Sequence, residues 1–271
     1  MLHGVFLVLV ALATSVGGDE PHLAAGPPVG MTSPSAQVPV EDPRLERADS
    51  IFLAGDAHGA LTVVLEILEE DGEGYEPLWR ASSYALATGV LEEAETGDTG
   101  RYEEALELAE RALAVDPDGL SAHYWKVAAL GRLALGAGPR EAMDYAEKIR
   151  EGALLILERD PDHAGAHHAL GKLYLEIMGV SGMSRFLGRT FAGGEALGEA
   201  SWSRAESHLK KATSLAPEML LFQLDLARLY RDRRRTAQAK ALLETLAEAP
   251  IRQPPDRVFR DEVREILRDI S

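Results

Sequence analysis

The segment GDAHG, residues 55–59, places an aspartate and a histidine between two apolar runs. If a strand ended here, Asp56 and His58 could ligate a metal ion for phosphoester hydrolysis; between two helices, the same residues would form a turn. A metal-dependent phosphoesterase of this kind also needs an asparagine ligand, and the chain contains no asparagine. The turn is therefore the favoured interpretation, with Gly55 ending one helix and Asp56 capping the next.

A second candidate for metal chemistry is the segment DPDHAGAHH, residues 160–168. His163 and His167 are four residues apart, so a helix would present both imidazoles on one face, where they could bind zinc. A structural zinc site needs two further ligands, and no matching pair is evident in the sequence. We expect instead that Asp162 caps the following helix, that His167 takes a packing position, and that the chain binds no metal.

The composition gives little support to other catalytic or nucleotide chemistry. The chain has no cysteine, and no convergent set of acid, base and nucleophile can be assembled from it. The glycine-rich segment 179–194 does not follow a predicted strand, so a phosphate-binding loop is not expected. A net charge of −16 argues against a nucleic-acid surface, which needs clustered lysine and arginine. We predict a non-enzymatic protein without a cofactor.

The N-terminal part of the chain differs in composition from the rest. Residues 1–18 contain an apolar run that is too short for a comfortable transmembrane helix and is typical of a signal peptide, although no lysine or arginine precedes it. Residues 19–43 are rich in proline, glycine and serine, a composition that cannot bury a core. We predict an exported protein, periplasmic or secreted, with a signal peptide and a disordered linker; the alternative is a retained membrane anchor.

The remaining chain, residues 44–271, is dominated by helical periodicity with a recurring spacing. A small residue is followed by apolar positions four and seven residues later and by proline after five more, as in Ala105, Ala109, Ala112 and Pro117. The apolar positions share one helix face, and proline ends the helix. Each such unit is predicted to be the second helix of a hairpin.

The matching first helices carry a small residue between larger ones, as in the segment HALGKLY, residues 168–174. Gly171 would let the two helices of a hairpin approach closely. These residues resemble the tetratricopeptide repeat, a helical hairpin of about 34 residues. The segment 122–131, together with an insertion around 175–200 that contains GVSGMSRFLGRTFAGG, resembles the regulator of microtubule dynamics family of tetratricopeptide proteins.

The resemblance implies an all-α, right-handed solenoid of about five helical hairpins with a C-terminal capping helix. It also implies a binding role, since such arrays expose a concave groove lined by their first helices. The basic run RDRRR, residues 231–235, is expected to end one first helix, where cations offset the helix macrodipole. The register predicts that the groove is lined by Trp79, Tyr124, Arg132, His168, Lys172, Arg228 and Arg231.

Four of these groove residues are lysine or arginine in an acidic chain. We therefore predict a scaffold that binds an acidic segment of a protein or peptide, without nucleic acid and with membrane association only through the N-terminal segment. A competing interpretation is that the cations pair with acids of adjacent repeats. An alternative function is a small-molecule or lipid carrier that uses apolar side chains of the insertion, namely Met178, Met183, Phe186, Leu187 and Phe191.

Overall fold

The computed structural model describes residues 42–179 and 195–270, and its regular elements in these ranges are helices without strands. The first hairpins are α1 (Pro43–Leu53) with α2 (Ala57–Asp71), α3 (Tyr75–Thr96) with α4 (Arg101–Val115), and α5 (Leu120–Gly136) with α6 (Pro139–Arg159). The later hairpins are α7 (Ala164–Gly179) with α9 (Trp202–Leu215), and α10 (Leu220–Asp232) with α11 (Thr236–Ala247). A short α8 (Glu195–Glu199) precedes α9, and α12 (Asp256–Ile270) follows the last hairpin.

This architecture confirms the predicted solenoid of five helical hairpins followed by a C-terminal helix. Helices α7 and α9 pack on each other although the insertion separates them in the sequence. The predicted signal peptide and all but the last residues of the linker lie outside the described ranges. Within residues 42–179 and 195–270, no helix is both long and apolar enough to cross a membrane.

The second helix of each hairpin buries one apolar face, as the recurring spacing predicts. In α4, Ala105, Ala109 and Ala112 are fully buried, whereas Glu107 and Glu110 on the same helix are exposed. Burial of such a face contributes about 25 cal/mol per Å² of apolar surface removed from water, and this holds the second helix against the first helix of its hairpin. The spacing in the sequence thus predicts which face of each second helix packs against the rest of the chain.

Gly171 on α7 shows why a first helix needs a small residue. A Cβ atom at this position would lie 2.9 Å from the backbone nitrogen of Leu209 on α9. Because a backbone atom cannot move aside as a flexible side-chain end can, any larger residue would push the two helices apart. The predicted close approach within this hairpin is confirmed.

The GDAHG segment forms the turn between α1 and α2. Gly55 has a φ of +104°, in the left-handed region that glycine adopts most readily. The Asp56 side chain accepts a hydrogen bond from the backbone N–H of Gly59 at 2.7 Å and so caps the N-terminus of α2. Both roles that the sequence predicted for this turn are confirmed.

The first helices are buried around nearly their whole circumference. In α3 every residue of the range Pro77–Val90 is buried, because one side packs on second helices and the other faces neighbouring first helices. Helix α12 packs on α10 and α11 and also contacts α3, and Arg257 on α12 donates a hydrogen bond to the Gly55 carbonyl at 3.3 Å. The row of first helices therefore curves far enough for α12 to contact the first two hairpins, and the side chains that point inward from the first helices are mostly buried.

Candidate functional site: a buried charge network and an exposed basic turn

Of the seven side chains predicted to line a groove, six are buried. These are Trp79, Tyr124, Arg132, His168, Lys172 and Arg228. The seventh, Arg231, is 33% exposed at the end of α10. The structure brings His168, Lys172 and Arg228 together around one carboxylate, and it does not bring the other four into the same cluster.

The carboxylate at the centre of this cluster belongs to Asp225 on α10, whose side chain has no exposed surface. Its Oδ1 accepts a hydrogen bond from Lys172 Nζ at 2.9 Å, and its Oδ2 accepts one from His168 Nε2 at 2.8 Å. The Arg228 guanidinium, one helical turn further along α10, also donates to Oδ1. We call these four side chains, which link α7 to α10, the Asp225 network.

The electrostatics of the Asp225 network follow from burial and charge together. Burial raises the pKa of Asp225, but the adjacent charges of Lys172 and Arg228 outweigh it and hold that pKa well below the usual range. Burial lowers the pKa of His168, so its ring is neutral at pH 7 and donates to Asp225 through Nε2. The network therefore holds an ionised carboxylate between the Lys172 side chain and the Arg228 guanidinium.

Each cation of the network also contacts a second carboxylate nearer the solvent. Lys172 Nζ lies 2.8 Å from a carboxylate oxygen of Glu176, and Arg228 Nε donates to Glu262 of α12 at 2.8 Å. The contact with Glu176 lies within α7, whereas the pairing of Lys172 with Asp225 and of Arg228 with Glu262 matches the interpretation that the inward cations pair with acids of adjacent elements. An incoming anion would have to displace a carboxylate already in place, so the arrangement fastens α7, α10 and α12 to one another.

Arg132 on α5 follows the same pattern in another hairpin. Its guanidinium contacts the Glu93 carboxylate and the Tyr102 hydroxyl, and it lies 4.5 Å from the centre of the Tyr102 ring. The Tyr102 hydroxyl in turn donates to Glu93 at 2.7 Å. This cation is therefore fixed between α3 and α4.

The two aromatic residues predicted for the groove serve packing. Trp79 donates its Nε1 hydrogen to Glu76 at 3.0 Å, and the Arg80 guanidinium lies 4.4 Å from its ring. Tyr124 packs edge-on against Trp125 with ring centres 4.9 Å apart. Both aromatic side chains are consistent with the core of a helical hairpin.

The basic turn, residues 231–235, joins α10 to α11 and contains four arginines. Arg233 and Arg234 are exposed, and the Arg233 guanidinium lies 5.5 Å from the ring centre of the partly buried Trp202. Arg231 pairs with Asp232, the next residue in the sequence, at 2.9 Å. The prediction that this run ends a first helix is confirmed, since α10 ends at Asp232.

The histidine segment packs differently from the expectation. His163, not Asp162, caps α7, because His163 Nδ1 accepts a hydrogen bond from the Ala166 backbone N–H at 3.1 Å. His167 donates through Nε2 to the Pro161 carbonyl, which leaves its Nδ1 to accept a hydrogen bond from His208 Nδ1 at 3.0 Å. Among residues 42–179 and 195–270, no three acidic or histidine side chains are grouped to hold a metal ion.

Sequence reasoning missed Asp225, the residue that organises the buried charges. Its signal is its position three residues before Arg228 in the segment DLARLY, which puts both side chains on one face of α10. The apolar insertion residues predicted to line a carrier pocket lie outside the described ranges, except for the partly buried Met178. The carrier alternative therefore gains no support from the described structure.

A family model described as regulator of microtubule dynamics protein 1-3 matches residues 44–271. The chain belongs to this family. The resemblance predicted from the repeat anchors and the insertion is thereby confirmed, and the match spans all five hairpins and α12. No curated protein matches the sequence.

Comparison with solved structures agrees with the fold of this family member. A crystal structure of TTC0263, a thermophilic tetratricopeptide protein of Thermus thermophilus, matches with a TM-score of 0.58 and 22% identity, over 83% of this chain and 97% of that one. MamA of Desulfovibrio magneticus RS-1 matches with a TM-score of 0.41 and 17% identity, over 83% of this chain and 94% of that one. At these identities the likeness concerns the fold alone.

Proposed function

We propose that this member of the family is a non-enzymatic repeat scaffold that binds an acidic segment of a partner protein through the basic turn. The observation that carries the proposal is the exposure of Arg233 and Arg234 in a chain of net charge −16. Within the described residues, neither of these guanidinium groups forms an ion pair. They are thus available to carboxylates from outside the chain, for which arginine is a bidentate partner.

The preference for an anionic ligand is retained from the groove prediction, but its location moves to the basic turn. Lys172 and Arg228 already contact Asp225, Glu176 and Glu262, so neither is a good anchor for a second acidic group. Trp202 beside the turn adds an aromatic surface of the kind enriched in protein interfaces. Helical-repeat arrays commonly serve as rigid binding platforms, and this supports a scaffold role.

The proposal is tested by titrating the full chain with a fluorescent hexaglutamate peptide at low and moderate salt. We expect saturable binding that weakens with salt, because charge-assisted contacts at a surface are screened over about 10 Å at 0.1 M. Reversal of two exposed charges, Arg233→Glu with Arg234→Glu, should weaken binding about tenfold or more, because like charges then face each other.

The matched control is Arg47→Glu with Arg268→Glu, which changes the net charge equally at two exposed positions on α1 and α12, outside the last hairpin. We expect this control to bind within about twofold of the parent chain, since only local charge should matter. Equal losses in the two double variants would mean that net charge alone drives binding, and the basic turn would then have no specific role. Circular dichroism verifies that both variants keep their helices.

Export is a second part of the proposal, supported by the apolar segment and the proline-rich stretch after it in residues 1–43. Fractionation of cells that express the full chain should place a shortened product outside the cytosol. Recovery of only unprocessed chain from the cytosol would contradict export, and recovery of unprocessed chain from the membrane would favour the anchor.

A further inference from the structure

A cavity of about 560 Å³ lies at one end of the second and third hairpins. It forms where the C-terminal ends of α3, α5 and α7 meet the N-terminal turns of α4 and α6. Its volume is within the range of small-molecule sites, about 300 to 1,000 Å³. The cavity is separate from the basic turn, which belongs to the last hairpin, and neither the family match nor the proposed function assigns it a role.

The charge of the cavity wall is strongly negative. Four glutamates from four different helices line it, against one arginine: Glu93 of α3, Glu103 of α4, Glu141 of α6, Glu176 of α7 and Arg132 of α5. Arg132 is held by Glu93, and Lys172 lies against Glu176, so two of the carboxylates are partly neutralised. Glu103 and Glu141 are exposed and form no ion pair with any residue in the described ranges.

The uncharged part of the wall is apolar and aromatic. Leu133 and Leu135 of α5 line the cavity, and the rings of Tyr102 and Tyr145 contribute aromatic surface. Tyr145 is partly exposed and donates its hydroxyl hydrogen to Glu141 at 3.0 Å, which holds its ring beside that carboxylate. Carboxylates beside aromatic and aliphatic surface are suited to an organic cation, because the charge meets the acids and the carbon chain meets the apolar wall.

We propose that this cavity binds a polyamine-like cation, an alkyl chain that carries two or more ammonium groups. The carboxylates come from four helices around the cavity and not from one point, so separated ammonium groups match them better than a single charge does. Leu133 and Leu135 pack against the methylene groups between the charges. The Tyr145 ring adds cation–π attraction to a nearby ammonium group. The Tyr102 ring is buried and already faces the Arg132 guanidinium.

Isothermal titration calorimetry of the full chain with spermidine tests the site. One spermidine should bind per chain. Magnesium chloride of equal ionic strength should not abolish the binding, because salt displaces diffusely attracted counter-ions more readily than a ligand held in a site. The double variant Glu103→Gln with Glu141→Gln removes the charge of the two carboxylates that form no ion pair in the described ranges, with little change of shape. It should weaken spermidine binding about tenfold or more, because charge-assisted contacts are the strong ones.

The matched control is Glu218→Gln with Glu244→Gln, which removes two exposed carboxylates outside the cavity. This control should bind spermidine within about twofold of the parent chain. At Tyr145, the Phe variant should keep most of the affinity, whereas Tyr145→Leu should lose a few-fold because the aromatic ring is gone. These two variants separate the contribution of the ring from that of the hydroxyl group.

Four results would overturn the proposal. A heat of binding that does not saturate as spermidine is added would show diffuse attraction to an acidic protein. A heat of binding that disappears in magnesium chloride of equal ionic strength would show the same. Equal weakening in the cavity variant and in the control variant would show that net charge alone is responsible. Binding of a lysine-rich peptide without any binding of spermidine would assign the cavity to a protein partner.

Discussion

The Asp225 network and the basic turn both contain arginines of α10 or of its C-terminal end. They differ in burial and in whether the arginines pair with carboxylates. Arg228 is 5% exposed and contacts two carboxylates, Asp225 and Glu262, whereas Arg233 is exposed and pairs with none in the described structure. A cation that leaves water needs a counter-charge from the protein, and one that stays in water does not. The comparison teaches that burial, and not residue type, separates a structural charge from one available for binding.

The largest effect is expected when the charge of both buried cations is reversed. Lys172→Glu with Arg228→Glu would place two new carboxylates against Asp225, which is fully buried. Loss of one buried pair costs about 3 to 5 kcal/mol, so we expect the double variant to lose about 5 kcal/mol or more and to show no cooperative thermal transition. Scanning calorimetry of the purified variant measures this.

The control for this reversal is the exposed pair Lys240→Glu with Arg268→Glu, which alters the net charge by the same amount. It should unfold within about 1 kcal/mol of the parent chain, because exposed charges make small contributions. A buried double variant that folds and melts like the parent chain would show that the Asp225 network does not hold α7 against α10.

A sharper version of the comparison uses one residue type in both regions. Asp225→Asn leaves two buried cations around a neutral amide, and we expect the free energy of unfolding to fall by about 3 to 5 kcal/mol. Asp232→Asn removes an exposed partner of Arg231 and should cost less than about 1 kcal/mol. Urea denaturation of both variants gives the two values, and similar costs would contradict the distinction between the regions.

Acid should lower the stability of the folded chain through His208, a partly buried histidine of α9 whose ring lies against that of His167 on α7. Burial, followed by the charges of His167 and Arg204, lowers the pKa of His208 to about 4, whereas an unfolded histidine has a pKa near 6.5. Between these values the unfolded chain binds a proton that the folded chain excludes. Stability is therefore complete above about pH 6.5 and falls as the pH drops toward about 4, by about 1 to 2 kcal/mol after allowance for the partly exposed ring.

Thermal unfolding from pH 7.5 to 4.5 measures this loss, and the variant His208→Asn separates it from other titrations. Asparagine can keep a hydrogen-bond donor toward His167 but does not titrate. Its stability should therefore decline less steeply with acid than that of the parent chain, although His168, whose pKa burial also lowers, still contributes a slope. Parallel declines in the two proteins would remove His208 from the explanation.

The smallest effect is expected within the basic turn itself. Arg234 has a φ of +58°, a left-handed conformation that glycine adopts without strain, whereas Arg233 has an ordinary φ of −83°. Arg234→Gly should raise the free energy of unfolding by no more than about 1 kcal/mol, and Arg233→Gly should leave it unchanged or slightly lower. Chemical denaturation that finds a large loss for Arg234→Gly would give this arginine a structural role like that of Arg228.

Much of the fold was predictable because its signals are local. Gly171 with its larger neighbours, the spacing of Ala105, Ala109 and Ala112, and the turn at Gly55 each report the conformation of a few residues around them. The capping of α7 was predicted wrongly for a local reason as well. His163 and Asp162 are adjacent and both can accept a hydrogen bond, so the pattern alone does not choose between them.

The sequence by itself determined the helical hairpins, their turns and the inward direction of each first-helix side chain, because a helix repeats every 3.6 residues wherever it lies. Only the tertiary structure decided which of these inward side chains are exposed to solvent and which are buried. Lys172 and Asp225 are 53 residues apart in the chain, and α12 reaches α3 from the opposite end of the repeat array. No local pattern encodes such distances, so the same arginine and lysine signals lead to a buried network at Asp225 and to an exposed surface at residues 231–235.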